Sequence, residues 1–317
     1  MKKITVVGGG SGIFNVLKGL KNYPVDITSI VTTFDNGGST GLLRDEFGIL
    51  PPGDIRRSLV ALAPDSSDRT LRDLFNYRFR DDCSLSGHSF GNLPLQALTE
   101  ITTSQVGAIK KAGEILNIKG QVLPISLDPA HLCAQLKDGT LIEGETNIDI
   151  PKHDGSIKID KIFLKPNPVI YREAYEAIME TDLLIIGPGD LYTFILPNIL
   201  VSGFNQALSL NSKAKVVYVC NIMTKWGETN GFQASDFVSV IYQYLNKRKV
   251  DYILFNTTEL SENILTKYEK ERSQPVVLDE PAVKQYVNNI IKADLVFQDE
   301  IIRHDAEKIS RLIVELL

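Results

Sequence analysis

Short unbroken apolar runs, separated by stretches with helical spacing, set the pattern of this chain. Residues 4–7, 27–34, 183–187, 216–221, 252–255 and 295–297 are apolar or nearly so without alternation, as in strands covered on both faces. Between them helices are predicted to begin at Gly12, Asp54, Asp68, Ser104, Tyr171, Ser235 and Asp305, several with Ser or Asp where an N-cap belongs. Strand, helix, strand repeated in this way predicts an α/β fold with a doubly wound, mostly parallel sheet, and ligands at the carboxyl ends of its strands. Residues 120–165 break the rhythm. Val122-Leu123-Pro124-Ile125, residues 131–137, an Asp138-Gly139 turn, and residues 140–144 and 157–164 read as antiparallel hairpins. A single domain over 1–317 is expected, with 120–165 as a β-rich insertion or edge subdomain.

Length and charge narrow the choices. A chain of 317 residues buries roughly 75% of its unfolded surface and needs no staple. The net charge of −5 argues against binding nucleic acid through bulk electrostatics. Three cysteines without C-x-x-C spacing and four scattered histidines give no zinc pattern, so no zinc is expected and a reduced, cytoplasmic protein is. The apolar run at 4–7 stops at Gly8-Gly9-Gly10, too soon for a signal peptide, and no run approaches the ~18 residues of a membrane span.

Candidate chemistry concentrates in glycine-rich turns after the strands. Asp35-Asn36-Gly37-Gly38-Ser39-Thr40-Gly41 has little side-chain bulk, so its N–H groups can turn toward an anion. Arg44, Arg56 and Arg57 are candidate phosphate partners, and Asp35 and Asp54, beside Gly53, candidate ligands of a hydrated Mg²⁺. The competing reading is a plain Asx turn with solvated or structurally paired arginines. Gly8-Gly9-Gly10-Ser11-Gly12 follows the first strand and opens a helix, a place that binds anions through N–H groups and the helix dipole. The third glycine of a dinucleotide fingerprint would fall at Ile13, so NAD is not expected. Tight strand-to-helix packing is the alternative there. Gly87-His88-Ser89-Phe90-Gly91-Asn92 offers His88 to a phosphate or base, or equally to a cap. Gly187-Pro188-Gly189-Asp190-Leu191-Tyr192-Thr193 follows the most apolar strand, with Tyr192 as a stacking ring. Residues 221–231, with Asn221 and Thr224, form a polar loop that suits a pocket wall, and Trp226 a rim.

Taken in order, these motifs resemble one family. V-V-G-G-G-S-G from Val6, F-D-N-G-G-S-T-G, P-P-G-D-I-R-R, H-S-F-G-N-L-P-L-Q-A-L-T-E-I from His88, G-P-G-D-L-Y-T-F-I-L-P-N up to Asn198, and V-Y-V-C-N-I-M-T-K-W-G-E-T-N-G from Val217 are similar to the YvcK-like gluconeogenesis factors. Those proteins are relatives of the CofD-like 2-phospho-L-lactate transferases. The resemblance implies a cytoplasmic, Rossmann-like protein that binds a nucleotide or nucleotide-sugar, UDP-N-acetylglucosamine foremost, and supports gluconeogenic growth and cell shape. It places ligand contacts on Gly9, Gly10, Ser11, Gly12, the 35–40 stretch, Arg44, Gly53, Asp54, Arg56, Arg57, His88, Asn92, Gly187, Pro188, Gly189, Asp190, Tyr192, Thr193, Asn198, Asn221 and Thr224. The alternative is a Mg²⁺-dependent transferase moving a phospho-ester group from a nucleoside diphosphate carrier, with the metal on Asp35 and Asp54. The regulator is preferred because no evident general base accompanies the turns. Lys225-Trp226, Asn230 and Phe237 depart from the family's pattern. No partner of nucleic acid or membrane is expected, and a homo-oligomer is left open.

Overall fold

A computed structural model describes residues 1–37, 40–41, 50–65, 70–80, 85–299 and 301–317. In chain order the strands are β1 (Lys3–Gly8), β2 (Asp26–Val31), β3 (Gln121–Pro124), β4 (His131–Leu136), β5 (Leu141–Glu143), β6 (Ile159–Lys165), β7 (Leu183–Ile186), β8 (Lys215–Val219), β9 (Val250–Asn256), β10 (Val287–Ala293), β11 (Val296–Gln298) and β12 (Ile302–His304). Seven of them form one sheet in the order β10-β9-β8-β7-β1-β2-β3, with every pairing parallel. The chain builds outward from β1 to β3, then returns to the other side of β1 and builds outward again from β7. The switch point therefore lies between β1 and β7, where doubly wound sheets bind ligands.

The unbroken apolar runs have a direct cause. Leu183, Ile185, Val217 and Val219 face one core, and Leu184, Ile186, Val216 and Tyr218 face a second on the opposite side of the sheet. The first is covered by helices Gly12–Leu20, Pro52–Leu62, Gln105–Ile115 and Ala306–Glu315, the second by Arg172–Glu180, Phe204–Leu210 and Ala234–Tyr244. Ser104 caps its helix by accepting the Gly107 N–H, and Asp305 caps the last helix through Glu307 and Lys308. Phe237 is fully buried in the second core.

Two expectations change. The segment Gln121–Pro124, read above as part of the hairpins, pairs in parallel with β2 as the edge of the main sheet. The antiparallel sheet proper is β5-β4-β6, and its inner residues Leu132, Ala134 and Ile162 join the second core. The run near 295–297 is not in the main sheet but forms a small antiparallel hairpin, β11 with β12. Strand β10 carries no apolar run, because an edge strand leaves Asn288, Asn289 and Lys292 exposed. The helix start expected at Asp68 lies outside the described residues, among which this helix covers Thr70–Asn76. No helix among the described residues is long and apolar enough to cross a membrane.

Candidate functional site

At the switch point two glycine turns touch. A Cβ on Gly12 would stand 2.1 Å from the Pro188 carbonyl oxygen, and one on Gly9 would stand 2.5 Å from Asp54 Oδ2. Close backbone approach requires glycine at position 12, and the packed side chains of Asp54, Phe194 and Thr32 require it at position 9. The Gly187 N–H donates to the Val7 carbonyl at 3.0 Å, fastening the second turn to β1. The Asn221 amide donates to the Gly189 carbonyl at 2.8 Å and its oxygen accepts the Tyr218 hydroxyl, bracing that turn from β8. Gly9, Gly10, Ser11 and Gly12 line the resulting cleft from one side and Pro188, Gly189 and Asp190 from the other. The Ser11 side chain makes no capping bond to helix Gly12–Leu20, whose positive end lies at the cleft. The cleft holds about 400 Å³, within the roughly 300–1,000 Å³ of small-molecule sites.

Below the first turn lies Asp54. Its Oδ1 accepts the Gly10 N–H at 2.9 Å and Arg57 at 3.2 Å, while Oδ2 is buried with no partner among the described residues. Burial pushes this carboxyl up to about 6 against the pull of Arg57, and the neighbouring Asp35 pushes in the same direction as burial. Asp35 accepts the Gly37 N–H at 2.7 Å and is also raised, chiefly by burial. Beyond it Glu145, pushed up to about 9 by burial and by Asp35, Asp149 and Glu228, opens the short helix Glu145–Asp149 of the insertion. The Asn36 oxygen accepts the N–H and hydroxyl of Thr146, each at 3.0 Å, tying the Asp35 loop to that helix.

A second acidic group forms the facing wall. The Lys225 ammonium contacts Asp149, Asp190 at 2.7 Å and Glu228 at 3.1 Å. Burial works against the ammonium, but Glu228, Asp190 and Asp149 together outweigh it and hold its pKa above the lysine range. Glu228 is itself pushed up to about 7, by burial first, with Lys225 opposing. Its carboxylate accepts the Tyr192 N–H and the Thr193 hydroxyl, both at 3.1 Å, fixing the π-helical turn Leu191–Ile195.

The remaining candidates take other places. Gly37 sits against Thr146, and Gly53 between Thr40 and Asp35, so these residues share the first acidic group. Arg56 is buried away from the cleft lining, donating to Asn92 at 3.1 Å, the Phe75 carbonyl at 3.1 Å and Asn76 at 3.3 Å. It joins two helices. The Tyr192 ring, expected as a stacking platform, is buried in the second core, because the π-helical turn directs it inward. Asn198 is fully buried and donates to the Phe194 carbonyl, and Thr224 accepts the Gln274 N–H. His88 belongs to the segment that bridges Arg78 to Ser89 and is absent from the cleft lining. Gly38, Ser39 and Arg44 lie outside the described residues.

Sequence reading did not single out Asn15, Asp149, Glu228, Tyr268 or Arg303 for the site, and named Lys225 only as a departure from the family's pattern. Lys225 and Glu228 sit inside the 221–231 loop, which reads as a pocket wall through Asn221 and Thr224. Asp149 is brought in by the insertion, and Tyr268 and Arg303 come from the last third of the chain, where no glycine turn marks them; all but Glu228 line the cleft. A larger groove of about 840 Å³ follows helix Gly12–Leu20 under the β11–β12 hairpin and shares Asn15, Arg303 and His304 with the cleft. The smaller cleft is the better candidate, because strand ends, glycine turns and the half-buried Asp149 and Asp190 converge there.

Fold and cleft together define a doubly wound α/β protein with a cleft between two glycine turns at its switch point. A family model described as "2-phospho-L-lactate transferase CofD" matches residues 4–296, and the chain belongs to that family. It is 43% identical over 316 residues to the gluconeogenesis factor of Halalkalibacterium halodurans, covering 99% of this chain and 96% of the relative. With the gluconeogenesis factor of Bacillus subtilis it shares 41% identity over 317 residues, covering 99% and 98%. A crystal structure of a UPF0052-family protein from Bacillus halodurans superimposes with a TM-score of 0.93 at 42% identity, covering 99% of this chain and all of that one.

Proposed function

We propose that the cleft binds a nucleotide-linked diphosphate, a UDP-sugar such as UDP-N-acetylglucosamine foremost, and that this cytoplasmic protein acts as a regulator of gluconeogenic growth and cell shape. The observation that carries the reading is the contact of the 8–12 and 187–190 turns at the switch point, where backbone and a helix end offer positive potential. Arg57 and Arg303 add cationic groups to the lining, whereas the Lys225 charge is already taken up by three acids. The relatives named gluconeogenesis factor support the physiological part. A thermal-shift panel of UDP-, GDP- and nicotinamide ligands tests it: UDP-N-acetylglucosamine should stabilise the wild type, and Gly189→Val should abolish that shift. A shift unchanged by Gly189→Val would refute the site.

The transferase reading is favoured by one observation of its own. Asp54 Oδ2 is buried without a partner among the described residues, and the carboxyls of Asp54 and Asp35 are both raised, so this pair suits Mg²⁺ as oxygen donors. When bound, the ion would supply positive charge to a diphosphate leaving group. Arg57 and the Gly10 N–H would together fix Asp54 Oδ1, leaving Oδ2 to face the ion. Under this reading Asp35→Asn abolishes turnover of a nucleoside diphosphate ester while binding persists; Asp35→Asn with full turnover would sink it.

A further inference from the structure

The ammonium of Lys225 is shared by acids from three segments. Asp149 ends helix Glu145–Asp149 of the insertion, Asp190 belongs to the second glycine turn, and Glu228 lies in the loop after β8. Their carboxylate oxygens lie within 4.8 Å of one another, as oxygens around a single hard cation do. A lysine ammonium is a compact point charge with three donors, and Lys225 contacts one carboxylate oxygen of each acid. Glu228, which is fully buried, also holds the turn Leu191–Ile195 through Tyr192 and Thr193. This wall is therefore assembled around one positive charge supplied by the chain itself.

We propose that Lys225 is a resident cation, a positioning residue that does at Asp149, Asp190 and Glu228 what a bound divalent ion would do, joining the insertion to the second glycine turn. Removing the ammonium while keeping the acids converts the trio into a divalent-cation site. The proposal does not depend on which ligand the cleft takes.

The test uses the full chain and Mn²⁺, with free ion followed by electron paramagnetic resonance. Lys225→Met should bind about one Mn²⁺ per chain beyond whatever the wild type binds, as the oxygen-ligand geometry requires. That extra binding should vanish in Lys225→Met/Asp190→Asn, survive in Lys225→Met/Asp54→Asn, and be absent in Lys225→Arg. The melting temperature of Lys225→Met should fall below wild type and recover with Mn²⁺ by more than the wild type gains. If Lys225→Met is unfolded in metal-free buffer, refolding with Mn²⁺ decides. No extra Mn²⁺ in the folded variant, extra binding that persists without Asp190, or no recovery of an unfolded variant with metal would each overturn the proposal.

Discussion

Two groups of acids, with Asp54 buried in one and Glu228 in the other, stand beside the same cleft, and they are balanced differently. On one wall Asp149, Asp190 and Glu228 share the ammonium of Lys225. On the other, Arg57, whose side chain is 40% exposed, meets one oxygen of Asp54, and the second oxygen has no partner among the described residues. Burial raises carboxyls on both walls, so desolvation alone does not distinguish them. The difference is the counter-charge. The Lys225 wall is set before any ligand arrives, whereas the Asp54 wall gains most from an added proton, ion or hydrogen-bond donor.

The strongest way to break this arrangement is to part the two walls. Gly12→Val places branched carbon where the Pro188 carbonyl now stands, and is expected to cost about 3 kcal/mol in urea unfolding and to eliminate nucleotide-dependent stabilisation. A variant as stable as wild type would mean the turns do not touch in solution.

The Asp54 wall is next, and it is sharpened by pH. The folded pKa of Asp54 is about 6 against an ordinary value of 3.8, so the folded protein holds this proton more tightly than the unfolded chain. Its contribution is complete below the unfolded value and is lost as pH rises through about 6. Stability of the ligand-free protein should therefore fall by about 2–3 kcal/mol through this group alone, and Asp54→Asn should remove that slope. His304, buried and lowered to about 4 from 6.5, acts with the opposite sign as pH falls through that window. The difference between wild type and Asp54→Asn is thus the quantity to read, by denaturant titration at pH 4.5 and 7.5. Parallel curves would contradict the assignment.

On the Lys225 wall, Glu228→Ala leaves the Tyr192 N–H and the Thr193 hydroxyl without their acceptor. An expected loss of about 2 kcal/mol, seen in the same titration, separates a built wall from a chance cluster. Smallest is Arg57→Ala, a half-exposed partner worth under about 1 kcal/mol. It should nevertheless move the Asp54-dependent slope to higher pH, since Arg57 is the charge that opposes the rise.

Sequence revealed the regular parts of this molecule and only half of the site. Strands β1, β7 and β8 were legible because burial on both faces leaves an unbroken apolar run. Edge strand β10 hid behind Asn288 and Asn289, and β3 behind its place next to true hairpins. Within the site, the glycine turns announced themselves by their lack of side chains. Arg56 and Tyr192 carried the right chemistry but point into packing, a direction no local pattern encodes. Asp149 and Lys225 are 76 residues apart and meet only once the insertion folds against the β8 loop.

The most direct test of the central claim, that two glycine turns at the switch point form one diphosphate site, is the melting temperature of the wild type and Gly189→Val with and without UDP-N-acetylglucosamine. A clear ligand-induced rise in the wild type and none in the variant is the expected result. An equal rise in both would place the ligand elsewhere and contradict the account.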